Sequence, residues 1–385
     1  MSGKSYNYDD IQPYEGRAFE EAMQRLRAYP KLLDNFMDIV SRHGRVVNTI
    51  KSVYTKARLR SLLGKVHSYE DFQKKITCDL FLELIIKSSI DRLSFDGVGN
   101  VEKDAACVFV SNHRDIVLDA ALLDYVLYRN NREPCEMVIG DNLLANQFAT
   151  DLFKTNGGVV LHRSLTSTNE LRNETMRLSS YITHCVTEKH KSIWVAQKSG
   201  RSKDGIDNTS TAIPKMLYLA SREEGLDFQT FLKKVPIVPV AISYQYDPCA
   251  VTKGRQEIKR LAAEGCYNVY KKKKYEDILD LVRGLRMYKG NVHIHIGKRL
   301  EPIYSNALDA TREIDRQIHT GYRLFDSNYF AYDYVFGKSE FTDKYEDFNS
   351  KSFLKRYKGL NREVFDVVMK SYANPVVSLL NEKNM

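Results

Sequence analysis

The chain has 385 residues, 43% of them apolar and 28% charged, a balance that excludes a disordered or fibrous protein and allows a sizeable core. A formal net charge of +9 favours anionic partners: nucleic acid, an anionic membrane surface or phosphorylated small molecules. Six dispersed cysteines without a C-x-x-C pair argue against a zinc site or a disulfide framework and for a reducing compartment.

In chain order, the polar start "MSGKSYNYDD" carries no signal-peptide pattern. Residues 1–70 read as a helical N-terminal extension. Within it "YTKARLRSLLGKV" sets Lys56, Arg58, Arg60 and Lys65 around a small apolar group, as in a surface helix or one lying on lipid. From 71 to 305 helix and strand alternate. "RLSFDGVGN", "ACVFVSN", "EMVIGDN", "GGVVLHR", "SIWVAQK", "VPIVPVAISY" and "NVHIHIGK" read as strands, mostly with helical stretches between them. Such alternation predicts an α/β fold with a mostly parallel central sheet flanked by helices. "KKKK" at 271–274 reads as a solvated face. Residues 306–385 read as an aromatic-rich helical C-terminal extension. Its "YRLFDSNYFAYDYVF" suits a helical core or an apolar membrane-facing groove. No run of eighteen apolar residues occurs, so no transmembrane helix is expected.

The chemistry concentrates in "FVSNHRDIVLDAALLDYVL", where a buried strand gives way to His113, Arg114, Asp115 and Asp119. His-Arg-Asp also occurs in protein-kinase catalytic loops. There an Asn follows five residues after the Asp, whereas this chain has Ala120, and it has neither a Gly-rich loop upstream nor Asp-Phe-Gly downstream. Acyl transfer fits better. A histidine deprotonates the attacking hydroxyl, and a carboxylate on its other ring nitrogen fixes the tautomer. Asn112 is positioned to cap the following helix. Farther on, "GGVVLHRS" carries Arg163 at a strand end, and "AQKSGRSKDG" carries Lys198, Arg201 and Lys203 in a Gly/Ser-rich turn suited to a phosphate. His293 and His295 share a strand face, but no third metal ligand lies near them in sequence, and no metal is expected.

Four stretches in order, "NHRDIVLD", "GGVVLHR", "AQKSGRS" and "VPIVPVAI", resemble the glycerolipid acyltransferase family of glycerol-3-phosphate and 1-acylglycerol-3-phosphate acyltransferases. The resemblance covers roughly 75–305. It departs from the family in two places. The family's aspartate lies five residues after the histidine, where this chain has Leu118 with Asp119 one further on. In the third block Gln197 and Lys198 replace the family's Pro and Glu. Residues six apart do not share a helix face, so pairing with Asp119 requires a non-helical turn, or Asp115 takes the orienting role.

The resemblance implies His113 as base, oriented by Asp119 or Asp115. It implies an acceptor phosphate held by Arg163, Arg201 and Lys203, with Lys198 a further candidate. No cofactor is implied beyond acyl-CoA or acyl carrier protein as co-substrate. The implied acceptor is lysophosphatidic acid or glycerol-3-phosphate. The implied location is the cytoplasmic side of an anionic membrane surface, peripherally bound, with no nucleic-acid partner.

Overall fold

The computed structural model describes residues 6–41, 49–163, 165, 167–264 and 276–384; the lysine run at 271–274 and Cys266 lie outside them. The strands are β1 Ile90–Asp96, β2 Val108–Ser111, β3 Glu136–Gly140, β4 Gly158–Leu161, β5 Ile193–Ala196, β6 Ile237–Tyr244 and β7 Gly290–Ile296. They form one 7-stranded sheet in the order β1-β7-β6-β2-β5-β3-β4. Neighbours from β6 through β4 are parallel, β7 is antiparallel to β6, and β1 is parallel to β7. The expected α/β architecture with a mostly parallel sheet is therefore present. The strands fall on the segments read as strands; the inner ones are apolar runs because a strand covered on both faces needs apolar residues at successive positions, whereas β1, at the sheet edge, is polar and mostly exposed. β2 and β6 are buried along their whole lengths.

The helices are α1 Gly16–Ala28, α2 Pro30–Ser41, α3 Thr49–Leu63, α4 (69–89, running through Tyr69–Asp71, a π-wound Phe72–Leu82 and Glu83–Ser89), α5 Leu118–Arg129, α6 Gln147–Lys154, α7 Thr168–Thr187, α8 Ala212–Glu223, α9 Phe228–Lys234, α10 Ala250–Glu264, α11 Glu276–Arg286, α12 Ala307–Gly321, α13 Asp326–Phe336, α14 Ser350–Lys355 and α15 Arg362–Asn384.

Alternate strand residues feed two cores. Phe109, Trp194, Val238, Val240 and Ile242 pack with α1, α2, α3, α4 and α5, and α1 presents Phe19, Met23 and Leu26 at helical spacing to this cluster. On the other face, Val108, Val110, Ile193, Val195 and Ile237 pack with Tyr181 of α7, Leu217 of α8, Phe231 of α9 and Ile314 of α12. The N-terminal helices thus share the core of the sheet. The aromatic C-terminal stretch builds a third cluster, with Tyr332, Phe353, Tyr357 and Tyr372 buried between α13, α14 and α15. Among the described residues no helix is long and apolar enough to cross a membrane.

Candidate active site

The carboxyl ends of β2, β3, β4, β5 and β6 share one edge of the sheet, where open α/β sheets bind ligands. β2 ends at Ser111 and α5 begins at Leu118, so residues 112–117 form a loop. This loop is the non-helical turn that lets residues six apart meet. His113 Nδ1 lies 2.9 Å from Asp119 Oδ2, with His113 half-buried and Asp119 fully buried. Backbone N–H groups of Arg114 and Asp115 donate to the same Oδ2 at 2.6 and 2.9 Å, and the Tyr244 hydroxyl donates to Oδ1 at 2.9 Å. With Nδ1–H on the carboxylate, Nε2 is the ring nitrogen available as a base.

Asp115 takes a different part. Its Oδ1 accepts from the N–H groups of Val117 and Leu118 at 3.0 and 2.9 Å, so it caps α5 and does not orient His113. This corrects the assignment of that cap to Asn112. The Asn112 side chain pairs with the backbone of Ile242, accepting at 2.7 Å and donating at 3.0 Å, and also donates to Asp207. Asn112 therefore ties the loop to β6. Arg114 turns inward onto Asp207, with Nη2 to Oδ2 at 2.5 Å, and lies against the Tyr322 ring. Burial, then the neighbouring Asp119, pushes the Asp115 carboxyl above its usual range, and burial lowers the nearby Lys289 amine to about 8.

His113, Arg163 and Arg201 line one cleft, together with Trp194, Gly200 and Asp277. The edge of the Trp194 ring system meets the His113 ring at 5.6 Å between centroids, and Trp194 Nε1 donates to Ser111 Oγ. Arg201 Nη2 donates to Asp280 of α11 at 2.6 Å, both side chains buried. Among the described residues its Nη1 has no hydrogen-bond partner. Gly200, at φ 78°, makes the turn that brings Arg201 in; a residue with a Cβ would be strained there. Lys198 and Lys203 are not in the cleft wall. Lys198 Nζ stands 3.9 Å from Asp204, and Lys203 has a partner of its own. The cleft thus brings together His113, Arg163 and Arg201, with Asp119 directly behind.

Val117, Leu143 and Phe153 separate this cleft from an apolar cavity of about 250 Å³. Its walls include Phe36 and Ile39 of α2, Phe72, Phe81 and Ile85 of α4, Phe148 and Leu152 of α6, and Leu281 and Leu285 of α11. Such a wall suits a hydrocarbon chain.

Among the described residues no group of three or more His, Cys, Asp or Glu side chains could hold a metal ion. His293 and His295 both contact Asp96, and His293 Nδ1 meets Ser94 Oγ at 2.9 Å. Tyr244, Trp194 and Asp280 join the site without any motif in the sequence that marks them. The one tryptophan of the chain, inside a buried strand, was the available signal for Trp194.

A histidine paired with a buried carboxylate thus stands beside two arginines and an apolar chamber, at the carboxyl edge of an α/β sheet. Residues 92–243, from β1 into β6, match the acyltransferase family model. A similar solved structure is the 1-acyl-sn-glycerophosphate (LPA) acyltransferase PlsC from Thermotoga maritima. It is 14% identical, with 78% of this chain and 94% of that chain covered, at a TM-score of 0.40. No curated protein matches the chain.

Proposed function

We propose that the protein moves a fatty acyl group from acyl-CoA or acyl carrier protein to a hydroxyl of a phosphorylated glycerol acceptor, 1-acylglycerol-3-phosphate first, in phospholipid synthesis at the cytoplasmic face of a membrane. His113 Nε2 takes the hydroxyl proton as the oxygen attacks the thioester carbonyl. The C–S bond then breaks, and the imidazolium returns the proton to the departing thiolate, leaving ester and free thiol. Asp119 stabilises the imidazolium in between. Arg163 and Nη1 of Arg201, which has no partner among the described residues, hold the acceptor phosphate, and the acyl chain lies in the apolar cavity. The observation that carries this reading is the His113–Asp119 pair in one cleft with Arg163 and Arg201, next to that cavity.

The test is thiol release from acyl-CoA or acyl carrier protein in the presence of lysophosphatidic acid. His113→Ala should lower turnover by at least about a hundredfold while the protein stays folded. Full turnover in that variant would sink the mechanism.

One observation favours a second acceptor class. Arg201 gives Nη2 to Asp280, which leaves less positive charge for a phosphate dianion. Faster turnover with a lysolipid that lacks a phosphate dianion, such as an acylated amino acid, would move the assignment to that acceptor.

A further inference from the structure

The two oxygens of Asp119 have different partners. Oδ2 faces the imidazole and two backbone N–H groups, all fixed by the 112–117 loop. Oδ1 takes the hydroxyl of Tyr244 at 2.9 Å. Tyr244 is the last residue of β6 and is buried. Burial, and then the Asp119 charge, hold the phenol well above its usual pKa, so it stays protonated and donates. It lies one residue beyond the stretch that matches the acyltransferase family model.

We propose that Tyr244 is a positioning residue that sets the basicity of His113 by holding Oδ1 of Asp119. The proposal rests on the reading of His113 as the base. A hydrogen bond to Oδ1 draws negative charge away from Oδ2, which weakens the hold of Asp119 on the imidazolium. It also stops the carboxylate rotating, so Oδ2 stays on Nδ1. The other charged groups around the pair are Asp115 on the same loop, Arg163 after β4, Arg201 after β5, and Asp277 on α11. Asp115 and Asp247 face the phenol. Among these groups Tyr244 alone touches Oδ1.

Tyr244→Phe removes the hydroxyl and keeps the ring in its apolar cluster. The acidic limb of the kcat/KM profile should move up by about half to one pH unit, since each unit is about 1.4 kcal/mol. kcat should fall several-fold with the acceptor KM unchanged. In nitrogen-15 NMR without substrate, the His113 ring should titrate higher by the same amount. A fluorotyrosine incorporated at position 244, a stronger donor, should move both readouts down. An unmoved His113 titration in folded Tyr244→Phe, or a shift in the same direction with fluorotyrosine, overturns the proposal. If Tyr244→Phe does not fold, the fluorotyrosine protein decides alone. The NMR readout needs no acceptor, so a wrong acceptor leaves it intact, while full activity of His113→Ala would overturn the base assignment separately.

Discussion

At the residue scale, Asp115 of the loop and Asp119 in the first turn of α5 differ in what they contribute to the chemistry. Asp119 holds the base, and Asp115 holds the start of α5. Asp119→Asn keeps the shape and removes the charge that stabilises the imidazolium, so kcat should fall by at least about a hundredfold, as for His113→Ala. Asp115→Asn keeps an oxygen to accept from Val117 and Leu118, so kcat should stay within about threefold of wild type. Steady-state thiol release decides both; the reverse ranking would make Asp115 the orienting residue. The sequence made Asp119 visible as a carboxylate close behind a strand-ending histidine. It gave no sign of Tyr244, because no local pattern links residues 125 positions apart. That contact exists only once β2 and β6 pair.

At the element scale, β2, β5 and β6 were legible because strands buried on both faces are continuous apolar runs, whereas the start of α5 was not. A six-residue loop has no period, and Asn112 and Asp115 are both capable caps, so only the three-dimensional partners distinguish them. The placement of α11 over the cleft was equally hidden, since its Asp277 and Asp280 meet groups far away in sequence. Gly284 lets α11 approach. A Cβ there would come 2.0 Å from Asp115 Oδ2. Gly284→Ala should therefore push α11 off the loop, lowering stability by about 1–3 kcal/mol and reducing kcat. Unchanged thermal unfolding and turnover would show that the contact relaxes freely.

α5 also carries a pH-sensitive group. Burial raises the Asp124 carboxyl to about 7, although its Oδ1 accepts from Cys135 N–H at 2.7 Å. The folded state thus keeps a proton that the unfolded chain releases near pH 4. The contribution to stability is full below about pH 4 and is lost as pH rises through 7. Asp124→Asn keeps the oxygen and removes the titration. Urea unfolding should give a flatter stability profile between pH 4 and 7, with a gain at pH 8 of up to about 4 kcal/mol. Parallel profiles for the two proteins would refute the assignment.

At the scale of the whole molecule, the charge of +9 and the helices around the apolar cavity point the same way. Leu32 of α2 and Ile278 and Leu279 of α11 are exposed apolar residues on helices that wall the cavity, and Val53 and Tyr54 of α3 are exposed on a neighbouring helix. A bilayer meeting this side would cover apolar surface and bring lipid next to the chamber. The protein should sediment with anionic vesicles at low salt. The fraction held by charge alone should be released at high salt, because the screening length is about 10 Å at 0.1 M salt and shorter above it. A fraction that stays bound through the wash reports inserted side chains, and Leu279→Asp should remove it while leaving low-salt binding largely intact. Leu279 is outside the cleft wall, so thiol release from soluble donor and acceptor should not change. Binding to neutral vesicles as strong as to anionic ones would remove charge from the account. No binding to either at low salt would count against a membrane role altogether.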